Sequence, residues 1–153
     1  MSISRKKLTI NFDYLIGLDN LNKLNKVKDL GLIYDNQFRF GSHINKLVNS
    51  ANHSLGFIYR QTSIFSIKTI KILYNVLIKP KLEFGCLVWG DQPQIHLAPI
   101  EKTQNKFLRY LYFRKYHVWP DYTNVRSSRL RAEFNIISLT SRRILTMMLF
   151  LYK

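Results

Sequence analysis

The spacing of apolar residues changes at Ser42, and this change constrains the fold more than any other feature of the sequence. From there on, apolar residues recur with the period of an α-helix, at Ile44, Leu47, Val48, Ala51, Leu55 and Ile58. Before it, apolar and polar residues alternate, with the apolar ones at Leu8, Ile10 and Phe12. The sequence therefore predicts an α+β, mainly α protein, with short antiparallel strands in residues 1–41 and a helical bundle in residues 42–153.

Several helices are expected after the first one, for which Ser42 is the predicted N-cap. A second helix should start at Ser66 and be kinked or restarted at Pro80, since proline has no N–H and clashes with the preceding turn. Further helices are expected at about 94–113, at 125–134 and from 140 onward, with a break at 90–93 and a loop at 115–124. The last helix is still apolar where the sequence stops, so we expect a truncated domain.

The charge balance points to a polyanionic partner. Lys and Arg number 24 against nine Asp and Glu, which gives a formal charge of +15. Nucleic acid is the first candidate partner and an acidic membrane surface is the second. The single cysteine, Cys86, fits a reducing compartment, and no signal peptide or membrane span is recognised. An intracellular protein, nuclear or cytoplasmic, is expected.

Residues for independent chemistry are sparse. Asp29 and Asp35 are six residues apart across the expected hairpin, a spacing that would let them share a metal, but turn and strand-end roles are favoured for both. The four histidines do not share a metal-ligand spacing with one another or with Cys86, which is expected to be a buried, inert thiol. We therefore predict no catalytic residue, no metal site and no cofactor in this chain.

Basic residues fall on helical faces instead. On a helix of 3.6 residues per turn, Lys68, Lys71 and Lys79 lie within roughly 80° of one another, and Lys102, Lys106 and Arg109 within roughly 60°. Together with Arg114, they are predicted to line one side of the bundle and follow a phosphate backbone. The alternative is that they are ordinary solvated faces. One of Arg142 and Arg143 is expected to pair with Glu133 or to cap a helix.

Aromatic residues beside these basic ones are possible platforms on which nucleic-acid bases stack. Core packing is the favoured interpretation for most of the aromatics, which recur at helical spacing. The candidates for base stacking are the four that lie beside basic residues, Tyr110, Tyr112, Tyr116 and Trp119.

Five blocks of the sequence, in order, resemble one family. The blocks are Lys28–Asp35, Leu55–Thr62, Leu73–Trp89, Ile100–Arg109 and Phe134–Arg143. In this order and spacing they are similar to the segments that follow the catalytic motifs in reverse transcriptases of non-LTR retrotransposons of the LINE-like, jockey type. The resemblance spans nearly the whole chain.

The resemblance implies that residues 1–41 correspond to the end of the palm, with Leu30 and Gly31 at the turn of a primer-grip-like hairpin. Residues 42–153 would correspond to the thumb, which binds the duplex of RNA template and DNA primer. The family's paired catalytic aspartates, which bind Mg²⁺, have no counterpart here. The chain would thus be a fragment that depends on the missing remainder of an RNA-directed DNA polymerase and is inactive alone.

Two alternatives remain open from the sequence. The chain could be a non-catalytic module that binds a protein or a membrane surface. It could also be the decayed fragment of a transposable element without a selected role.

Overall fold

A computed structural model describes residues 3, 12, 14–17, 19–61, 64–120 and 125–152. The chain forms two compact units, Met1–His43 and Ile44–Lys153. The first unit contains short antiparallel strands and the second is helical. The α+β, mainly α class predicted from the sequence is confirmed.

The first unit is organised around a tight hairpin. Strands β3 (Lys26–Asp29) and β4 (Leu32–Asp35) pair antiparallel, with Asp29 opposite Leu32. The two residues between them, Leu30 and Gly31, both have positive φ, +46° and +84°. This is the geometry of a type I′ turn, whose twist matches that of the flanking strands. The predicted turn is therefore present at the predicted residues.

A smaller hairpin precedes it. β1 (Leu15–Ile16) pairs with β2 (Asp19–Asn20), and all four residues are exposed. β2 lies within the stretch of residues 17–26 that sequence patterning alone would treat as a linker. Of the alternating residues expected to form the first strand, Leu8 and Ile10 lie outside the described residues, and Phe12 is in no strand.

Helix α1 (Gly41–Gln61) begins just before the predicted cap. Ser42 lies inside its first turn, where the Ser42 hydroxyl accepts a hydrogen bond from Lys26 Nζ at 2.8 Å. The expectation that Ser42 is the N-cap is thus wrong, because the helix already includes Gly41 and Ser42. His43, at 1% exposure, accepts the Ile33 N–H at Nδ1 (3.4 Å), which makes it a structural residue of the first unit.

Helix α2 (Ile67–Leu73) starts as predicted, with Ser66 as the N-cap accepting the Thr69 N–H at 3.2 Å. It continues into a π-helical turn, Tyr74–Ile78, and then into α3 (Lys79–Glu83). Pro80 lies in the first turn of α3. The wider π turn lets the helix proceed past Pro80 although the ring cannot fit within a regular α-helical ladder.

Four helices complete the second unit: α4 (Cys86–Trp89), α5 (Gln94–Tyr116), α6 (Ser127–Phe134) and α7 (Leu139–Leu151). The break before α5 and the start of α5 fall where they were predicted. α5 ends at Tyr116, later than predicted, and therefore includes the first two residues of the expected loop. α6 and α7 agree with the predicted helices to within two residues.

α5 is the central helix of this unit. One side of it is buried and contacts α2, α6 and α7. Its Phe107 ring stacks on Tyr74, with centroids 4.0 Å apart and planes at 9°, and Gln104 Nε2 donates to the Ile137 carbonyl at 3.0 Å. The opposite side of α5 carries exposed polar residues, and it presents the candidate site.

Candidate nucleic-acid interface

The solvent-facing side of α5 carries a row of cations, which we call the α5 stripe: Lys102, Lys106 and Arg109. Their spacing of four and three residues places them within roughly 60° of one another. Lys102 and Lys106 are exposed, and neither forms a hydrogen bond or ion pair with any residue that the structure describes. Their charges are therefore available to a polyanion.

Arg109 is half-buried, and unlike the two lysines it forms a hydrogen bond within the protein. Its Nη1 donates to the carbonyl of Pro120 at 3.1 Å. Pro120 is itself buried, so this bond holds the chain that leaves α5 against the end of the stripe. Arg109 thus both extends the row of cations and helps to position Trp119, the residue before Pro120.

Trp119 is the neighbour that this arrangement positions. Its ring stacks on Phe113, with centroids 4.5 Å apart and planes at 12°. Phe113 is 11 residues after Lys102, which puts it on the same side of α5 as the stripe. Because Phe113 covers one face of the indole, the 57% of Trp119 that is exposed lies on the other face and the ring edge.

The other three selected aromatics have structural roles. Tyr110 is buried, and its ring lies 4.3 Å from that of Tyr59. Tyr112 and Tyr116 pack on each other at 4.6 Å. The Tyr116 hydroxyl donates to Glu133 at 2.6 Å. Of the four, Trp119 is the most exposed, at 57%. Phe113, which supports it, was missed, although its helical spacing from Lys102 places it on the same side of α5.

The lysines of α2 and α3 lie in a different environment. Lys71 Nζ donates to the carbonyl of Phe134, the last residue of α6, at 2.7 Å. This bond satisfies a carbonyl at the helix C-terminus, where cations are favourable. Lys68 is exposed and Lys79 half-buried. Lys71 is therefore chiefly a capping residue of α6.

A pocket of about 220 Å³ lies beside Lys71 and Lys79, on the side of α5 that carries Gln104. Lys71, Lys79, Gln104 and Arg142 contribute to its lining. Lys102 and Lys106 are each two residues from Gln104 on α5, which places them roughly 200° away around the helix.

The expectation that all seven basic residues line one side of the bundle is thus wrong. Six of them fall on two surfaces, because α5 has one face toward this pocket and the other toward solvent.

Arg114 belongs to neither surface. It lies roughly 120° around α5 from Lys102, and its Nη2 donates to the carbonyl of Phe65, just before α2, at 3.0 Å. Its charge is directed toward the chain that enters α2.

The described glutamates of this unit form ion pairs and hydrogen bonds within the protein. Glu83 forms an ion pair with Arg142, with a second bond from Arg142 Nη2 at 3.1 Å. Glu101 accepts from the Thr140 hydroxyl at 2.8 Å, which fixes the start of α7. Glu133 pairs with Lys115 at 2.7 Å. Of the two roles expected for Arg142 or Arg143, the described residues thus show Arg142 paired with Glu83 rather than with Glu133.

Arg143 is buried at 3% exposure, and burial lowers the pKa of its guanidinium. Its Nη2 donates to Thr140 Oγ1 at 3.0 Å. Arg143 therefore belongs to the packing of α7 against the core and presents no charge to solvent.

Groups that could catalyse or bind metal are not assembled in the part of the chain described. No three His, Cys, Asp or Glu side chains there lie close enough to hold a metal ion. Asp29 and Asp35 lie at opposite ends of the β3–β4 hairpin, and Asp35 Oδ1 accepts the backbone N–H groups of Gln37 and Arg39. Cys86 is buried, and burial raises the pKa of its thiol, which makes it a poor nucleophile.

The Glu133 contacts predict a pH dependence. Hydrogen bonds from Lys115 and Tyr116 lower the pKa of Glu133, so its carboxylate stabilises the fold above its unfolded pKa. This stabilisation is lost as pH falls from about 5 toward 3. Urea unfolding across this range should show the loss in the natural chain and a smaller loss in Glu133→Gln. Equal pH dependence in both proteins would show that Glu133 does not contribute.

Comparisons with models of known protein families, with curated proteins and with solved structures found no significant match for this chain. Among the described residues, no single helix has the length and apolar composition of a membrane span. α6 and α7 together pass that test of length and composition, but they are bent by 67° at the break between them.

Proposed function

We propose that this chain is a non-catalytic piece of the reverse transcriptase of a non-LTR retrotransposon and that it binds the backbone of an RNA template and DNA primer duplex. The observation that carries the proposal is a pair of exposed lysines, Lys102 and Lys106, on the solvent face of a 23-residue helix, neither of which has a partner among the described residues. Rigid helical spacing of two such cations suits contact with successive phosphates, which is independent of base sequence.

The hairpin of the first unit supports the same proposal. Leu30 is 85% exposed and adopts a left-handed backbone conformation that costs a non-glycine residue about 1–2 kcal/mol. An apolar side chain held in this way at a hairpin tip is explained if the tip contacts another molecule. In the proposed function that molecule is the end of the primer, and Leu30 and Gly31 form the primer-grip-like turn.

Catalysis would belong to the remainder of the polymerase. Nucleotidyl transfer by two metal ions needs paired carboxylates, and the sequence contains no two adjacent acidic residues. We therefore propose that Mg²⁺ acts only in the complete parent enzyme and that this chain contributes grip and backbone contacts.

The test is a salt titration with an RNA–DNA hybrid. With two or three phosphate contacts through the α5 stripe, the logarithm of the affinity should fall with the logarithm of salt concentration at a slope of about −2 to −3. Adding template, primer, Mg²⁺ and nucleotides should give no extension. A slope near zero would contradict backbone binding, and primer extension would contradict the non-catalytic assignment.

A second candidate function is a protein-interaction module, and one observation favours it. α7 exposes a continuous apolar face formed by Ile144, Leu145, Met148, Leu149 and Tyr152. Exposed patches of this kind often mark interaction surfaces. Self-association that persists at high salt, combined with negligible affinity for the hybrid, would favour this function over the first.

A further inference from the structure

We propose that the α5 stripe and Trp119 bind single-stranded nucleic acid, with one unpaired base stacked on the open face of the Trp119 ring. This inference rests on the proposed function, since it uses the same phosphate contacts, and it adds an unpaired segment beside the duplex to what the site binds. A single strand that extends from a duplex, such as an overhang, would provide the unpaired base for this site.

The first element of the site is a straight row of contacts. Lys102 and Lys106 are four residues apart, or about 6 Å along the axis of α5, and Phe113 lies about 17 Å from Lys102. All three lie on one side of the helix. A strand that follows the two lysines is thereby led toward the aromatic pair of Phe113 and Trp119.

The second element is the fixed orientation of the indole. Phe113 supports one face of Trp119, and the bond from Arg109 to the Pro120 carbonyl holds the next residue in place. A ring held from two directions loses little conformational freedom when a base stacks on it. Because every base has a π-face, such stacking tolerates any sequence.

The third element is the accessibility of that face. Trp119 is 57% exposed, whereas the other tryptophan, Trp89, is fully buried and donates its Nε1–H to the Phe84 carbonyl at 2.7 Å. Bases inside a duplex already stack on their neighbours on both sides. An open indole therefore selects an unpaired base, which can leave its stack at low cost.

The decisive experiment compares two oligonucleotides of equal length and charge with the full chain. One is a short oligothymidylate, and the other carries abasic sites in place of its bases. The intact oligonucleotide should bind at least about fivefold more tightly. It should also quench the exposed tryptophan, while the abasic one binds in a salt-sensitive manner without quenching. Trp89 is shielded in the core, so the quenched emission reports on Trp119.

Two variants test the residue itself by fluorescence polarisation of a labelled oligonucleotide. Trp119→Leu should lose at least about fivefold in affinity for the intact oligonucleotide and nothing for the abasic one. Trp119→Phe should retain most of the difference, because it keeps a ring on Phe113.

Failure of this inference and failure of the proposed function give different results. If intact and abasic oligonucleotides bind equally and with the same salt slope, base stacking is overturned while backbone binding stands. If neither oligonucleotide nor the hybrid binds, both the proposed function and this inference fall.

Discussion

Replacing Lys102 and Lys106 together by glutamine is expected to weaken binding of an RNA–DNA hybrid about 60-fold at 0.1 M salt. Each phosphate contact contributes about 0.9 to the slope of log affinity against log salt concentration. Loss of two contacts therefore makes the slope shallower by about 1.8. Between 1 M and 0.1 M salt, the affinity then rises by about 1.8 log units less than it does for the natural chain. Fluorescence anisotropy at several salt concentrations measures both quantities. Both side chains are exposed and without described partners, so the fold should be unaffected.

The matched control is Lys68→Gln with Lys79→Gln, which removes the same charge from the other basic surface. If the α5 stripe is the interface, this control should lower the affinity much less than the stripe variant does. Equal losses from the two pairs would show that only net charge matters. A larger loss from the control pair would move the interface to the pocket side of α5.

Replacing Phe107 by alanine is expected to lower the free energy of unfolding by about 3–5 kcal/mol. Phe107 is fully buried, and its ring stacks on Tyr74 at the centre of the helical unit. Removing it leaves a cavity and deletes the aromatic contact between α5 and the π turn. Chemical denaturation followed by circular dichroism measures the change.

The control is Phe57→Ala on α1, because Phe57 is 50% exposed. It deletes the same side-chain atoms from a position where half of the residue's surface is already exposed to water, and its effect should stay below about 1 kcal/mol. Similar losses for both variants would mean that Phe107 does not anchor the core.

The helices could be predicted because their signals are local. Ser66 caps α2 through a backbone N–H only three residues away, and Pro80 imposes its irregularity within the preceding turn. Ser42 carries the same local signal as Ser66, yet its hydroxyl bonds Lys26. Lys26 is 16 residues from Ser42, and no local pattern reveals that it is the partner of this hydroxyl.

The candidate site was only partly predictable. Helical spacing identifies Lys102, Lys106 and Arg109 as neighbours, because a rigid helix fixes their relative directions. Helical spacing does not reveal that Arg109 donates a hydrogen bond to the carbonyl of Pro120. Nor can it tell that Phe113 lies beneath Trp119, since the chain must turn back after α5 to bring that ring over the helix.

By itself, the sequence determined the excess of cations, the change from strand to helical period at residue 42, and the turn at Leu30 and Gly31. These depend on composition and on residues a few positions apart. Only the tertiary structure decided which cations are available. Lys71 is engaged by the carbonyl of Phe134, 63 residues further along, whereas Lys102 faces solvent. A cationic side chain can bind a partner molecule only where the fold places no hydrogen-bond acceptor next to it.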